Sequence, residues 1–165
     1  MRPNKDKIFL DIASKLSERG TCIRKQVGCV LVDELGQILS TGYNGVARGL
    51  PHCNEEVIVK VSVSYYDKDL FATPSTYPNK CAGADHDSGQ GLEICEAIHA
   101  EQNALLQCHD VQQIDTVYVT TSPCRHCMKL IMNTSAKRVV FLSEYSQSSK
   151  DLADKANIEW CYYEH

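Results

Sequence analysis

Cys124 and Cys127 stand three apart in TSPCRHCMKL, behind Pro123 and just ahead of an apolar-spaced run. Two cysteines at that spacing near a helix start share one face, and the unsatisfied N–H groups there favour thiolate over thiol. Such a C-x-x-C pair serves as a redox couple, a structural zinc knuckle or half of a catalytic zinc site. A redox couple belongs after the first strand of a thioredoxin-like unit, and this pair comes late in the chain. The other half of a zinc site is best sought in CEAIHAEQNALLQC, where His99 opens a predicted helix and Glu101 follows two residues on. Two residues turn a helix by roughly 200°, so Glu101 is a poor co-ligand for an ion on His99 but a suitable neighbour. Three protein ligands and a water make the catalytic form of a zinc site, and a carboxylate beside that water supplies acid/base chemistry. A lone histidine at a helix start is more often a cap or a surface group. Here H-A-E and P-C-x-x-C occur together, on two predicted helices separated by one strand.

The elements that must hold these residues follow from periodicity. Ile8, Phe9, Ile12, Ala13 and Leu16 recur at helical spacing and predict an amphipathic helix that ends near Gly20. VGCVLVD and QILSTGYN flank a short turn with Gly36 and predict a β-hairpin. DTVYVTT and KRVVFLS read as further strands, after the helical HAEQNALLQC and CRHCMKLIMNTS, and SKDLADKANI with EWCYY ends the series. The order predicts an α/β fold, one mixed sheet with helices on both faces. Residues 46–94 break the pattern: they lack clear periodicity and carry Pro51, Pro74 and Pro78. Such a stretch is either a flexible insertion or a loop organised by a metal. Residues 46–94 carry Cys53, Cys81, His86 and Cys95, so a metal, zinc foremost, is a natural organiser, and the expectation is one domain over 1–165 with 46–94 as an inserted, zinc-organised loop region.

Composition narrows the class. The 165 residues are 43% hydrophobic and 23% charged, which suits an ordinary globular core. MRPNKDKIFLDIASKL has charges throughout and no apolar h-region, so no secretory signal is read there, and no run approaches a membrane helix. A cytoplasmic protein with no membrane partner is expected. Nine cysteines without an export signal point to metal ligands and buried thiols over disulfides. A net charge of −4 argues against a general nucleic-acid binder.

H-x-E…P-C-x-x-C is the recognised pattern of zinc-dependent nucleobase deaminases. VGCVLVD…ILSTGYNG, IHAEQNALLQ and VYVTTSPCRHCMKLI together resemble the deoxycytidylate (dCMP) deaminase family, bacterial and phage forms included, over most of the chain and in the expected order. Residues 57–80 resemble it least. The resemblance implies a three-layer α-β-α cytidine-deaminase-like fold with a mixed five-stranded sheet. It implies Zn2+ on His99, Cys124 and Cys127, with Glu101 as proton shuttle, and dCMP converted to dUMP and ammonia for thymidylate synthesis. It also implies that Asn44 helps hold the sugar and that Tyr145 lies near the substrate. Cys22, Cys53, Cys81 and Cys95 match positions where many members carry ligands of a structural zinc, His86 and His52 being nearby substitutes. Four thiolates there would stitch residues 46–94 to the first strand and to the helix bearing His99. Cys29, Cys108 and Cys161, each in a regular element, read as small buried residues.

For substrate recognition Arg24, Lys25 and Arg48 could reach a phosphate from one rim, although basic loop residues are usually solvated. Gly42 and Gly45 around Tyr43 suggest a tight turn that lets backbone N–H groups approach a ligand. The resemblance places an allosteric nucleotide site there, over Gly42, Tyr43, Gly45 and Arg48. It would bind dCTP or dTTP, with Mg2+ accompanying the nucleotide. It further implies a homo-oligomer, a hexamer foremost, although Ala47 stands where the family commonly has proline. The competing readings are dCTP deamination by the same site, a tRNA adenosine deaminase, and a non-catalytic zinc-binding interaction module in which Glu101 has no role.

Overall fold

The computed structural model describes residues 2–53, 56–59, 75–78, 83, 85–87, 90–91 and 94–164. Asn4 opens α1 (Lys5–Ser17) by accepting the Asp6 N–H on its Oδ1 at 2.9 Å, which satisfies one orphan donor of the first turn. Phe9, Leu10 and Ala13 are its buried stripe. Ile8, assigned to that face by spacing, is 43% exposed because it lies at the stripe's edge. β1 (Gly28–Val32) and β2 (Ile38–Tyr43) form the expected hairpin, with Gly36 at φ 84° in the turn. The chain continues through β3 (Gly45–Val46), β4 (Glu56–Val59), β5 (Ser75–Pro78) and β6 (Ala97–Ile98) to α2 (Ala100–Gln107). After a 3-10 turn at Val111–Gln113 come β7 (Thr116–Thr121), α3 (Arg125–Ile131), β8 (Arg138–Ser143), α4 (Lys150–Lys155) and β9 (Glu159–Tyr162).

The main sheet has five strands in the order β2-β1-β7-β8-β9. The pairs β1–β2 and β1–β7 are antiparallel, whereas β7–β8 and β8–β9 are parallel. Strand alternation divides the core into two layers. Val30, Val32, Tyr118 and Val140 meet Phe9, Leu10 and Ala13 of α1 on one face. Cys29, Leu31, Val119 and Phe141 meet Ala100 and Ala104 of α2, Met128 and Ile131 of α3, and Ala153 of α4 on the other. This is the expected three-layer α-β-α arrangement. Of the cysteines read as buried, Cys29 is enclosed in this core, but Cys108 and Cys161 are only half-buried, at the C-cap of α2 and on the edge strand β9.

The structure departs from the sequence reading between residues 46 and 94. β3 pairs with β6, and β4 with β5. Strands of two to four residues show too few alternations for a period to be legible, and β3 finds its partner some fifty residues away. The helices α3 and α4 are also shorter than their apolar spacing suggested. Asn157, at φ 52°, turns the chain out of α4 into β9.

One polar contact ties three elements together. Tyr118 donates its hydroxyl proton to Asp6 Oδ1 at 2.6 Å, and Arg138 Nη2 donates to Asp6 Oδ2 at 3.2 Å. Burial raises the Asp6 pKa, but the bonds from Arg138 and Tyr118 outweigh it and leave the carboxyl below its ordinary value. A depressed carboxylate stabilises the fold above its unfolded pKa, and that contribution disappears as pH falls through the folded one. Asp6→Asn is therefore expected to cost about 1–2 kcal/mol near neutral pH, discounted for the part-exposed Arg138. In urea unfolding the gap to wild type should close below about pH 4. A gap equal at pH 7 and pH 3 would show that the carboxylate charge is not its source.

Candidate metal centre

β7 runs buried into Ser122–Pro123, and Cys124 becomes the N-cap residue of α3, at φ −69° and ψ 168°. Pro123 cannot continue a ladder, so the strand ends there and the chain is delivered to the helix start. His99 is likewise the N-cap residue of α2, at φ −72° and ψ 157°, and its own N–H is held by Gln102 Oε1 at 2.9 Å. Two helix N-termini therefore converge, one bringing an imidazole and the other two thiols.

His99 Nδ1 lies 3.5 Å from Cys124 Sγ and 3.4 Å from Cys127 Sγ. A tetrahedral ion with usual zinc–sulfur and zinc–nitrogen bonds would set an N···S edge of about 3.6 Å, so the donor set fits zinc in chemistry and spacing. Among the described residues, His99, Cys124 and Cys127 are the group of His, Cys, Asp and Glu side chains close enough to share an ion. The Cys127 thiol and the His99 ring hydrogen-bond to Cys124 and draw its pKa down to about 3 against the effect of burial. Cys127 is pushed up by its hydrogen bond with Cys124 and by burial. His99 is raised by its bond to Cys124.

Glu101 is 4% exposed and stands one half-turn along α2 from His99. Burial pushes its carboxyl pKa up, against the pull of the His99 charge and a hydrogen bond from Cys127, and the net shift is upward. A carboxyl that holds a proton more readily than usual, beside a metal-type donor set, can act as both base and acid.

His99, Glu101 and Cys124 form the wall of one pocket together with Cys22, Arg24, Lys25, Asn44, Cys95 and Tyr145. Asn44 is buried there, its Oδ1 accepting from Val27 N at 2.8 Å and its Nδ2 donating to Lys25 O at 2.7 Å. An amide offers two donors and two lone pairs, so one of each remains. Tyr145 is fixed by its backbone N–H, which donates to Ser122 Oγ at 2.8 Å. Ser149, fully buried, donates to Pro123 O at 2.6 Å, so the loop carrying Tyr145 is fastened to the turn that carries Cys124. Neither serine was singled out in the sequence: only proximity of Ser122 to the P-C-x-x-C element pointed to it, and Ser149 had no signal. Thr121 and Ala97 also reach the pocket unannounced.

Other expected residues lie elsewhere. Gly42 lies within β2 and Gly45 opens β3, neither at a positive φ, so the turn expected around Tyr43 is extended chain. A methyl on Gly42 would lie 2.5 Å from Ala104 N and closer still to Ala100 O, so this glycine admits the α2 backbone against the sheet. Tyr43 has the Arg19 guanidinium over its ring at 5.8 Å, and Arg48 is exposed and absent from the pocket wall. Cys53 is buried with Val46 and packs near Cys95. Cys81 lies outside the described residues. His86 is exposed, with its ring against Gly91, and His52 is half-buried. Because α2 carries both His99 and Glu101, Gly42→Ala is expected to lower stability by about 1–3 kcal/mol and to weaken zinc retention. Unfolding curves within ~0.5 kcal/mol of wild type, with zinc content unchanged, would refute the close-approach argument.

The family model of the cytidine and deoxycytidylate deaminase zinc-binding region matches residues 3–143. A deoxycytidylate deaminase of Mycobacterium phage D29 is 35% identical over 147 residues, which cover 87% of this chain and 98% of the phage protein. That of Schizosaccharomyces pombe is 33% identical over 150 residues, 90% of this chain but 40% of the yeast protein. The Saccharomyces cerevisiae protein of the same name is 31% identical, with 39% of its length covered. The chain thus spans about two fifths of the two fungal relatives and nearly all of the phage one. The crystal structure of a dCMP deaminase from cyanophage S-TIM5 in complex with dCMP and dUMP superposes with a TM-score of 0.67 at 26% identity, covering 99% of both chains. Among the described residues, no helix is long and apolar enough to cross a membrane.

Proposed function

The chain belongs to the cytidine and deoxycytidylate deaminase family, and we propose that its pocket converts dCMP and water to dUMP and ammonia. The observation that carries this reading is a buried carboxyl, Glu101, against a His-Cys-Cys donor set in one pocket wall. His99 Nδ1 and the sulfurs of Cys124 and Cys127 would hold zinc. Bound there, zinc supplies Lewis acidity, which can bring the pKa of water from 15.7 to about 7. Glu101 takes a proton from the attacking water and delivers it to the ring nitrogen next to the amino-bearing carbon, making that carbon electrophilic. The water oxygen bonds to the carbon, which becomes tetrahedral. Glu101 then passes the second proton to the amino group, ammonia leaves, and the carbon keeps the oxygen as the carbonyl of uracil.

The remaining amide donor and acceptor of Asn44 suit the sugar, and Tyr145 flanks the base. Cys22, Cys53, Cys81 and Cys95 are proposed to hold a second, structural zinc, supported by the packing of Cys53 near Cys95 and by Cys22 and Cys95 sharing one pocket wall. Metal analysis is then expected to give about two zinc ions per chain in wild type and about one after Cys53→Ser. The reading extends to a homo-oligomer, hexameric in form, acting on free nucleotides in the cytoplasm and supplying dUMP for thymidylate. It also includes a dCTP or dTTP effector site with Mg2+ at Gly42, Tyr43, Gly45 and Arg48, of which Arg48 is exposed. An ultraviolet assay on cytidine, CMP, dCMP and dCTP, with and without dCTP, dTTP and Mg2+, tests these together. Loss of the cytosine absorbance is expected foremost with dCMP; no turnover of any of the four by zinc-loaded protein sinks the reading.

A further inference from the structure

Arg24 and Lys25 are chain neighbours on the loop between α1 and β1, and both line the pocket. Their side chains are nevertheless committed to different partners. Arg24 Nη1 donates to Gln90 O at 2.8 Å, with Asp87 O at 3.3 Å and His86 O at 3.4 Å. Electrostatic attraction to the Cys95 and Cys22 sulfurs favours the charged guanidinium against the effect of burial. The part-exposed cation is thus engaged by acceptors belonging to the protein. Those carbonyls belong to residues that are also tied by backbone hydrogen bonds: His86 N–H donates to Gly83 O, Gln90 N–H to Asp87 O, and Ile94 N–H to Gly91 O. The same chain then leads into Cys95 and Ala97, which form pocket wall. Carbonyls outside a strand ladder need other donors, and a guanidinium with fixed forked donors can gather several of them at once.

Lys25 is held differently. Its backbone carbonyl accepts from Asn44 Nδ2 at 2.7 Å, which fixes where the side chain starts. Among the described residues its ammonium makes one long contact, 3.5 Å to Ser143 Oγ, at the outer limit of a hydrogen bond. A half-buried ammonium on a flexible stem, anchored at its base and weakly engaged at its tip, is suited to meet an incoming anion. Drawing Arg24 onto that anion would give up the 2.8 Å bond to Gln90 O and the longer contacts to Asp87 O and His86 O, whereas drawing Lys25 onto it gives up one weak contact.

We infer that Arg24 is a positioning residue that holds the backbone at His86, Asp87 and Gln90 and with it the Cys95–Ala97 wall in place, and that preference for a phosphorylated ligand comes from Lys25. The assignment rests on the nucleotide reading above. Zinc-loaded wild type, Arg24→Ala, Arg24→Lys and Lys25→Ala would be titrated by calorimetry with dUMP and with deoxyuridine, which lacks the phosphate. Lys25→Ala is expected to weaken dUMP by about tenfold or more and deoxyuridine by less than about twofold, the loss of one charge-assisted contact. Arg24→Ala is expected to weaken both ligands by a common factor. It should also raise KM for dCMP by a similar factor while kcat stays within about twofold, the pattern of lost uniform binding. Arg24→Lys, which keeps charge and donors, covers the case in which the alanine variant does not fold, and should preserve the dUMP-to-deoxyuridine ratio. Loss of dUMP binding alone in either Arg24 variant, an unchanged ratio in Lys25→Ala, or no dUMP binding by wild type overturns the inference. Binding of dUMP without ammonia release from dCMP would overturn the proposed reaction and leave the assignment of the two cations standing.

Discussion

Glu101→Gln is expected to slow dCMP deamination by about 10^2–10^4-fold, the usual worth of a positioned acid/base group, with zinc content and unfolding midpoint unchanged. Glutamine has the same length and can still hydrogen-bond, but it cannot relay a proton. The carboxyl it replaces is 4% exposed, at the start of α2 and pressed against Cys127, so bulk water cannot easily take over the relay. The two readings of the His-Cys-Cys group separate on this substitution. A closed structural zinc site gives Glu101 no task, and equal ammonia release by mutant and wild type would establish that reading over catalysis. A drop in rate accompanied by loss of zinc would instead mean that Glu101 shapes the donor set, and only a drop at full zinc content supports the relay.

Cys127→Ser should have a comparably large effect by another route. Cys127 is fully buried, and its Sγ lies 3.4 Å from His99 Nδ1. Serine offers a harder, shorter donor in place of a thiolate, and leaves a hydroxyl to be satisfied in a closed site. Changes in groups that only support a ligand cost roughly 10–100-fold in metal affinity, so removal of a ligand should exceed that and leave the purified protein without catalytic zinc. Activity should vanish, and the unfolding midpoint should fall because metal-binding energy also stabilises the fold. A chelator control checks the cause: it should bring wild type down toward the mutant and change the catalytic-site occupancy of the mutant no further. A mutant that retains full catalytic zinc and turnover would remove Cys127 from the ligand set.

Substitutions at Glu101 and Cys127 could be chosen from local sequence because both sites obey local rules. A cysteine pair three apart behind a proline, and a histidine two residues before a glutamate, take their relative orientation from helix phase alone. The strands of the main sheet were legible for a similar reason, since runs such as GCVLV and RVVFL must be buried wherever they pair. Gly42 was misread because a glycine in GYNG looks the same whether it serves a turn or a close backbone approach, and only the position of α2 distinguishes them. Short strands between residues 45 and 98 were missed because two to four residues carry no usable period.

The order of amino acids was thus sufficient for the donor set His99, Cys124 and Cys127, the neighbouring carboxyl of Glu101, and the α/β layering that brings two helix starts to one place. Helix phase accounts only for the pairing within each local element, and His99 was joined to the cysteines 25 and 28 positions on by the H-x-E…P-C-x-x-C pattern and the family resemblance. Tertiary structure alone separated Arg24 from Lys25, joined Ser149 to Pro123, and engaged Asn44 with the loop ahead of β1. Arg24 meets its carbonyl partners 62 to 66 positions away, and Ser149 meets Pro123 26 positions away. Hydrogen bonds at such separations depend on how packed layers set loops beside one another, and spacing along the chain does not encode them.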